Sequence, residues 1–422
     1  MAASVHLSPT TLLALSALVI VVVPYALWRA PWIRALAPLG IVQLVVALLA
    51  SRLSMGASQL TLSATFFDPL AWMGVMFFLF AAGGHAGLDQ KVGWRQGPLA
   101  LGVATLALPL AAGVLLGQWL RSAHPEFYAH RSSGAVFDIA VGICLAVTAL
   151  PVLAILVQDL DLRRSRVGQV AMAVAVMHDI ALWVLLGTTL LIAQSADSPA
   201  QRVVTALLSG PALVAVLIFV VRPIIARLWE RSAKIDRDAL VFSSGLLLFG
   251  AVISDFIGLH LAIGAFLAGA IAPRSMFERA AAVIEPMSTI VLLPFFFMSA
   301  ALAIPGNLDY SRFLYATVVV TTTALVVKFV SGALSARLIG FSTEESVTIG
   351  SLLQCKGLME IVAIMMLRDA GIVSGDFVAA FMVMSLVTTL SAKPLVMVAR
   401  TTSVRLRKRN LWSNLNMRRS SR

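Results

Sequence analysis

Charge is what this sequence has least of. Only 12% of its 422 residues are Asp, Glu, Lys or Arg, where a soluble globular domain carries about 25%. With 59% hydrophobic residues and a mean hydropathy of +0.93, an ordinary soluble fold is excluded. Cysteine is almost missing: Cys144 and Cys355 both fall inside apolar runs, so they build no disulfide framework and read as small thiols in helix packing. No nucleophile-and-base set and no metal-ligand cluster stands out, so neither an enzyme nor a bound cofactor is expected. The first ten residues hold no Lys or Arg. The first apolar run therefore lacks the charged region of a signal peptide and reads as a retained span.

What is present is a succession of apolar runs of about 20 residues, continuing almost to the end of the chain and leaving no room for a separate soluble domain. The expected fold is an all-α polytopic membrane protein with about 13 transmembrane helices. The run at 258–273 is the shortest of them. The net charge of +12 raises nucleic acid as a partner, but the distribution of basic residues answers otherwise. Tallied on alternate sides of the spans, 22 fall on the side of the C-terminus and 6 on the other. That bias puts the C-terminus in the cytoplasm and the N-terminus outside, and makes the charge topological. The basic stretch 400–422 reads as a short cytoplasmic tail suited to anionic lipids.

Two segments interrupt the pattern. The span 135–157 meets Thr148-Ala149-Leu150-Pro151, where proline removes a backbone donor and the Thr148 hydroxyl is available to serve carbonyls left unpaired. The span 346–367 carries Gln354-Cys355-Lys356-Gly357-Leu358-Met359-Glu360, in which Gly357 beside a polar cluster marks a second break. The helix triplets around these breaks have the same internal order but start on opposite sides. This is the pattern of inverted repeats with two discontinuous crossing helices near a transporter's midplane site.

Ionisable residues within the spans gather at the same level. Asp179, preceded by His178, lies mid-span at a cost of roughly 2.5 to 3.5 kcal/mol, which calls for a partner or a task. Burial favours the neutral form of a carboxyl, so a proton and a metal cation can compete for it. Lys328 can be held by helix C-terminal carbonyls or by a carboxylate. Lys356 and Glu360 are one helical turn apart and either neutralise each other or meet the cation directly. His178 either tunes the site through its own charge or packs as a neutral ring. His85 reads as interfacial, Glu285 as solvated at a span end, and Pro294-Phe295-Phe296-Phe297-Met298 as packing or dimer surface.

At these residues the chain resembles the monovalent cation:proton antiporter-2 family of sodium or potassium/proton exchangers. The matching pieces are Ala86-Gly87-Leu88-Asp89, Val147-Thr148-Ala149-Leu150-Pro151, Asp179, Gly264-Ala265-Phe266-Leu267-Ala268-Gly269, Leu293-Pro294-Phe295-Phe296-Phe297, Lys328, Lys356-Gly357-Leu358-Met359-Glu360 and Leu386-Val387-Thr388-Thr389. The resemblance implies one transmembrane exchanger domain over 1–422, with core helices at about 98–193 and 312–399 and panel or dimerisation helices at about 11–88 and 209–304. It implies a homodimer exchanging Na+ or K+ for H+ by alternating access, with Asp179 as the shared carrier, Thr148 and His178 beside it, Lys328, Lys356 and Glu360 as supporting charges, and helix breaks at Ala149, Pro151 and Gly357. The chain departs from the family at His178, where other members carry a carboxylate, Asn or Gln. It also ends without the nucleotide-binding domain of gated potassium-efflux members. A proton-coupled exporter of a small organic compound and a transport-dead sensor or partner subunit remain the rival readings.

Overall fold

A computed structural model describes residues 9–54, 61–86, 96–129, 131–194, 212–232, 235–307 and 309–420. The motif residues 87–89 and the loop residues Lys91, Arg95, Arg202 and Lys234 lie outside the described residues. In chain order the helices are α1 (Pro9–Trp28), α2 (Pro31–Leu36), α3 (Leu39–Ser54), α4 (Thr61–Ala86), α5 (Gln96–Ala123), α6 (Gly134–Ala146), α7 (Leu150–Asp159) and α8 (Arg166–Gln194). There follow α9 (212–216), α10 (Arg222–Arg231), α11 (Asp236–Phe256), α12 (Leu261–Ile271), α13 (Arg274–Pro286), α14 (Leu293–Leu302), α15 (Tyr310–Leu338), α16 (Thr343–Leu352), α17 (Leu358–Asp369) and α18 (Gly375–Ser420). Among the described residues there is no strand, only an isolated bridge between Tyr128 and Val373.

By length and composition, nine helical stretches of the described residues can cross a membrane, and three shorter apolar helices, including Leu261–Ile271, accompany them. The sequence resolves helix phase less well than helix position. α9 runs into α10, and α13 into α14, through π-helical turns at Leu217–Val221 and Met287–Leu292. Hydropathy alone does not signal these turns. The aromatic run Phe295–Phe297 is buried within the chain, each ring at most 7% exposed, so of its two expected roles packing is the one seen.

Since lipid tails are as apolar as leucine, close backbone approach and polar contacts must hold such helices together. The packing falls into two sets. In one, α1, α3, α4, α11, α12, α13 and α14 lie against one another; in the other, α5, α6, α7, α8, α15, α16, α17 and α18 do. Within the second set the inverted repeats are visible residue by residue. α6 and α16 enter as half-helices, each opened by a serine: Ser133 accepts from the Val136 amide, and Ser342 forms a reciprocal capping box with Glu345. Each is drawn against the long helix before it by a glycine pair. A Cβ on Gly113 would lie 2.5 Å from the Gly142 Cα, and one on Gly332 would lie 2.9 Å from the Gly350 Cα. Arg121 further pins α5 to α6 through two contacts to the buried Asp138, at 2.8 and 3.3 Å.

Candidate functional site

Both expected breaks are present. The first occupies 147–149, between α6 and α7, and the second 353–357, between α16 and α17. Ala149 is the residue before α7, and Pro151 sits in the first turn of that helix, where its missing N–H leaves no intrahelical bond unmade. Gly357 is the residue before α17, at a φ of +148°, and a Cβ there would meet Val152 Cγ2 at 2.7 Å. The two breaks cross at this contact.

A half-helix that stops inside a membrane leaves its last carbonyls unpaired and its negative dipole end exposed. At the end of α6 two lysines cover it. Lys356 Nζ donates to the carbonyls of Cys144 at 2.5 Å and Leu145 at 3.3 Å, with Val147 at the 3.5 Å limit. Lys328 Nζ donates to Ala146 O and, at 3.1 Å, to Thr105 O on α5. Both lysines are at most 1% exposed. At the end of α16 the donors are neutral instead. The Thr148 hydroxyl donates to Leu353 O at 2.8 Å, and the Ala149 amide donates to Cys355 O at 2.9 Å. Thr148 thus serves the opposite break, whereas the sequence pointed to the carbonyls of its own. With its proton spent there, its oxygen lone pairs remain for a cation.

Asp179 stands midway along α8 and is fully buried. Neither carboxylate oxygen has a hydrogen-bond partner. The Leu150 amide, at the positive N-terminal end of α7, faces the carboxyl without closing a hydrogen bond of good geometry. An ionised carboxylate buried in this way costs several kcal/mol unless a proton or cation accompanies it.

His178 looks elsewhere. Its Nε2 lies 3.1 Å from Gly102 O and 3.2 Å from Thr105 Oγ1, and the Thr105 hydroxyl itself donates to Leu101 O at 2.7 Å. Acceptors on that side put the ring hydrogen on Nε2. Nδ1, 3.3 Å from Lys328 Nζ, is then the acceptor of an ammonium hydrogen, and the hydrogen-bond network assigns a neutral ring. Of the three residues grouped at the cation site, Asp179 and Thr148 belong to the crossing, while both nitrogens of His178 are engaged by α5 and α15. Lys356 and Glu360 do pair, at 3.3 Å with both side chains buried. The Cys144 carbonyl of α6 is nonetheless the closer partner of the lysine, at 2.5 Å. Sequence reasoning missed Thr105 and Gly102, whose only signal is a hydroxyl and a small residue three apart on an apolar helix. Glu285, expected to be solvated, does keep its side chain 38% exposed, and its Oε1 also lies 2.7 Å from His85 Nε2.

A cavity of about 1470 Å³ lies between the two packing sets. Arg163, Arg166 and Arg274 line one end, and Pro151, Gly357 and Thr389 belong to the walls at the level of the breaks. Val176, three residues before Asp179, is also in its wall.

Comparison with known proteins agrees with this geometry. A family model described as sodium/hydrogen exchanger, transmembrane, matches residues 14–398. The chain is 30% identical to Cation/H(+) antiporter 17 of Arabidopsis thaliana, over 79% of this chain and 41% of that protein. It is 29% identical to K(+)/H(+) antiporter 1 of Saccharomyces cerevisiae, over 77% and 38%, so it spans about two fifths of the length of these relatives. With the Na(+)/H(+) antiporter NhaS4 of Synechocystis it shares 22% identity over 78% of this chain and 80% of that one. The solved sodium/proton antiporter MjNhaP1 of Methanocaldococcus jannaschii has the same fold, with a TM-score of 0.63 at 14% identity, covering 93% of this chain and 99% of its own. A multi-pass helical protein whose two broken helices cross beside a buried carboxylate, and which matches that model over nearly its whole length, belongs to the transmembrane sodium/hydrogen exchanger family.

Proposed function

We propose that this chain is a secondary antiporter that exchanges a monovalent cation, Na+ or K+, for H+, with Asp179 as the shared carrier. One observation carries the reading: a fully buried carboxylate with no partner for either oxygen, beside two interrupted helices. Such a group is stable only when a positive species covers it, and H+ and an alkali ion are then alternatives at one place. The hydroxyl oxygen and the backbone carbonyl of Thr148 contribute to the hard, neutral ligand set that an alkali ion requires. His178 acts as a positioning residue for Lys328. The names of the relatives, which cover K+/H+, Na+/H+ and general cation/H+ antiport, support this class of substrate.

In this reading the helices at about 98–193 and 312–399 form a core that moves against a panel formed by those at about 11–88 and 209–304. The core moves only when the Asp179 charge is covered. The panel joins two copies into a homodimer, the protein sits in the cell membrane with its C-terminus in the cytoplasm, and the tail 400–422 lies on anionic lipid. The arginine-lined end of the cavity then faces the cytoplasm.

The organic-export reading expects a large apolar vestibule, whereas the cavity of about 1470 Å³ has Arg163, Arg166, Arg274 and Glu285 in its lining; one measurement separates the two readings. Proteoliposomes challenged separately with sodium, potassium and lithium, with proton movement reported by a dye, should show cation-dependent flux that Asp179→Asn reduces to the protein-free background. Flux that follows an added organic cation and ignores all three salts would favour export. A folded protein with no flux of either kind would favour the sensor or partner-subunit reading.

A further inference from the structure

A second buried carboxylate stands apart from this cycle. Glu360, in the first turn of α17, is 3% exposed. Its Oε1 lies 3.3 Å from Lys356 Nζ, long for a charge-assisted bond, which ordinarily measures about 2.7 to 2.9 Å. The ammonium is nearer to Cys144 O, at 2.5 Å, and Oε2 of Glu360 has no partner. The lysine is committed first to the end of α6, and half of the carboxylate is left bare.

The groups facing Glu360 come from four elements. Lys356 belongs to the break before its own helix, Lys328 approaches from α15, the Cys144 thiol from α6, and the Ser385 side chain from α18. Ser385 also lines the cavity, as do Leu358 and Ile361 on either side of Glu360 in sequence. Ser385 is thus common to the cavity wall and to the surroundings of the carboxylate.

We propose that Glu360 is a second exchangeable proton site, loaded from the cavity past Ser385, which sets the response of transport to pH on that side and carries no alkali ion. An alkali ion needs several oxygens at once, and the carbonyls at this place are engaged by two ammonium groups. A proton needs one oxygen, and Oε2 is that oxygen. On binding, the proton neutralises the carboxylate, leaves Lys356 to the carbonyls of Cys144, Leu145 and Val147, and removes a negative charge from the positive N-terminal end of α17. Protonation thereby loosens the tie between Lys356 and the first turn of α17 and leaves the lysine's bonds to the end of α6 in place. The proposal rests on the exchange reading above, and the test separates the two.

Acid-minus-alkaline infrared difference spectra of the reconstituted full chain are compared for wild type, Glu360→Gln and Asp179→Asn, with and without saturating Na+ or K+. Two titrating carboxyl bands are expected. Glu360→Gln removes one, which salt leaves in place, and Asp179→Asn removes the other, which salt suppresses. The proposal is overturned if Glu360→Gln removes no band, or if salt suppresses the Glu360 band as strongly as that of Asp179. A band lost in Glu360→Gln beside an unchanged spectrum in Asp179→Asn would uphold the second site and sink the carrier assignment. Should Glu360→Gln not fold, Ser385→Ala decides. This variant removes the hydroxyl that stands by both the cavity and the carboxylate; the midpoint of the Glu360 band is expected to move by roughly half a pH unit or more, and an unmoved midpoint overturns the proposal.

Discussion

The two breaks are counterparts in an inverted repeat, yet they are finished with different chemistry. The carbonyls at the end of α6 receive two ammonium groups, Lys356 and Lys328, whereas those at the end of α16 receive a hydroxyl and a backbone amide, from Thr148 and Ala149. The repeat sets the crossing geometry: serine-capped entry, a glycine pair against the preceding helix, and a break. The side chains then make it electrically lopsided. Buried positive charge is concentrated on one half-helix end, while Asp179 is left facing the start of α7 with no cation of the protein's own bound to it. A symmetric crossing would neutralise itself. This one leaves Asp179 without a countercharge from the protein.

Removing the charged cap should cost most. Lys356→Met leaves the α6 carbonyls uncovered and Glu360 without its ion-pair partner, and breaking a buried pair from one side costs about 3 to 5 kcal/mol. Lys328→Met uncovers Ala146 and Thr105 but strands no carboxylate, so about 1 to 3 kcal/mol is expected. Thermal unfolding in detergent should rank the two in that order, and adding Glu360→Gln to Lys356→Met should recover part of the loss. The reverse ranking would show that Glu360 is not what Lys356 protects.

The neutral cap should respond more weakly. Thr148→Val deprives Leu353 O of its donor, at about 1 to 3 kcal/mol, and should also raise the cation concentration needed for half-maximal flux. Thr148→Ser restores both. Gly357→Ala forces a side chain into a φ of +148° and towards Val152, a strain of about 1 to 3 kcal/mol that unfolding midpoints will register. Pro151→Ala should shift stability by no more than about 1 kcal/mol, because proline there begins a helix and does not break one. If Pro151→Ala costs more than Gly357→Ala, the break at 147–149 depends on proline more than on its partners.

Much of this was legible in the sequence, for local reasons. Proline and glycine act on their own backbone, so Pro151 and Gly357 mark both breaks. An ionisable residue in an apolar run declares its own cost, so Asp179, Lys328, Lys356 and Glu360 stand out, and the carbonyl partners open to Lys328 followed from the dipole of a broken helix. Partners distant in sequence were not legible. Thr148 finds Leu353 some 205 positions away, and Lys356 reaches Cys144 across 212. For His178 the sequence left two roles open, a tuning charge and a packed neutral ring, and adjacency to Asp179 could not choose between them, since neighbours on a helix point about 100° apart. Its partners Gly102 and Lys328 come from two other helices. The π turns at 217–221 and 287–292 shift helix phase without changing hydropathy, and nothing in composition reveals them.

The most direct measurement is proton release from the purified, unenergised protein on addition of Na+ or K+ at a pH where Asp179 is partly protonated. Wild type should expel protons in proportion to the cation bound, and Asp179→Asn should expel none in response to either salt. Undiminished release from Asp179→Asn would contradict competition of cation and proton at that carboxylate.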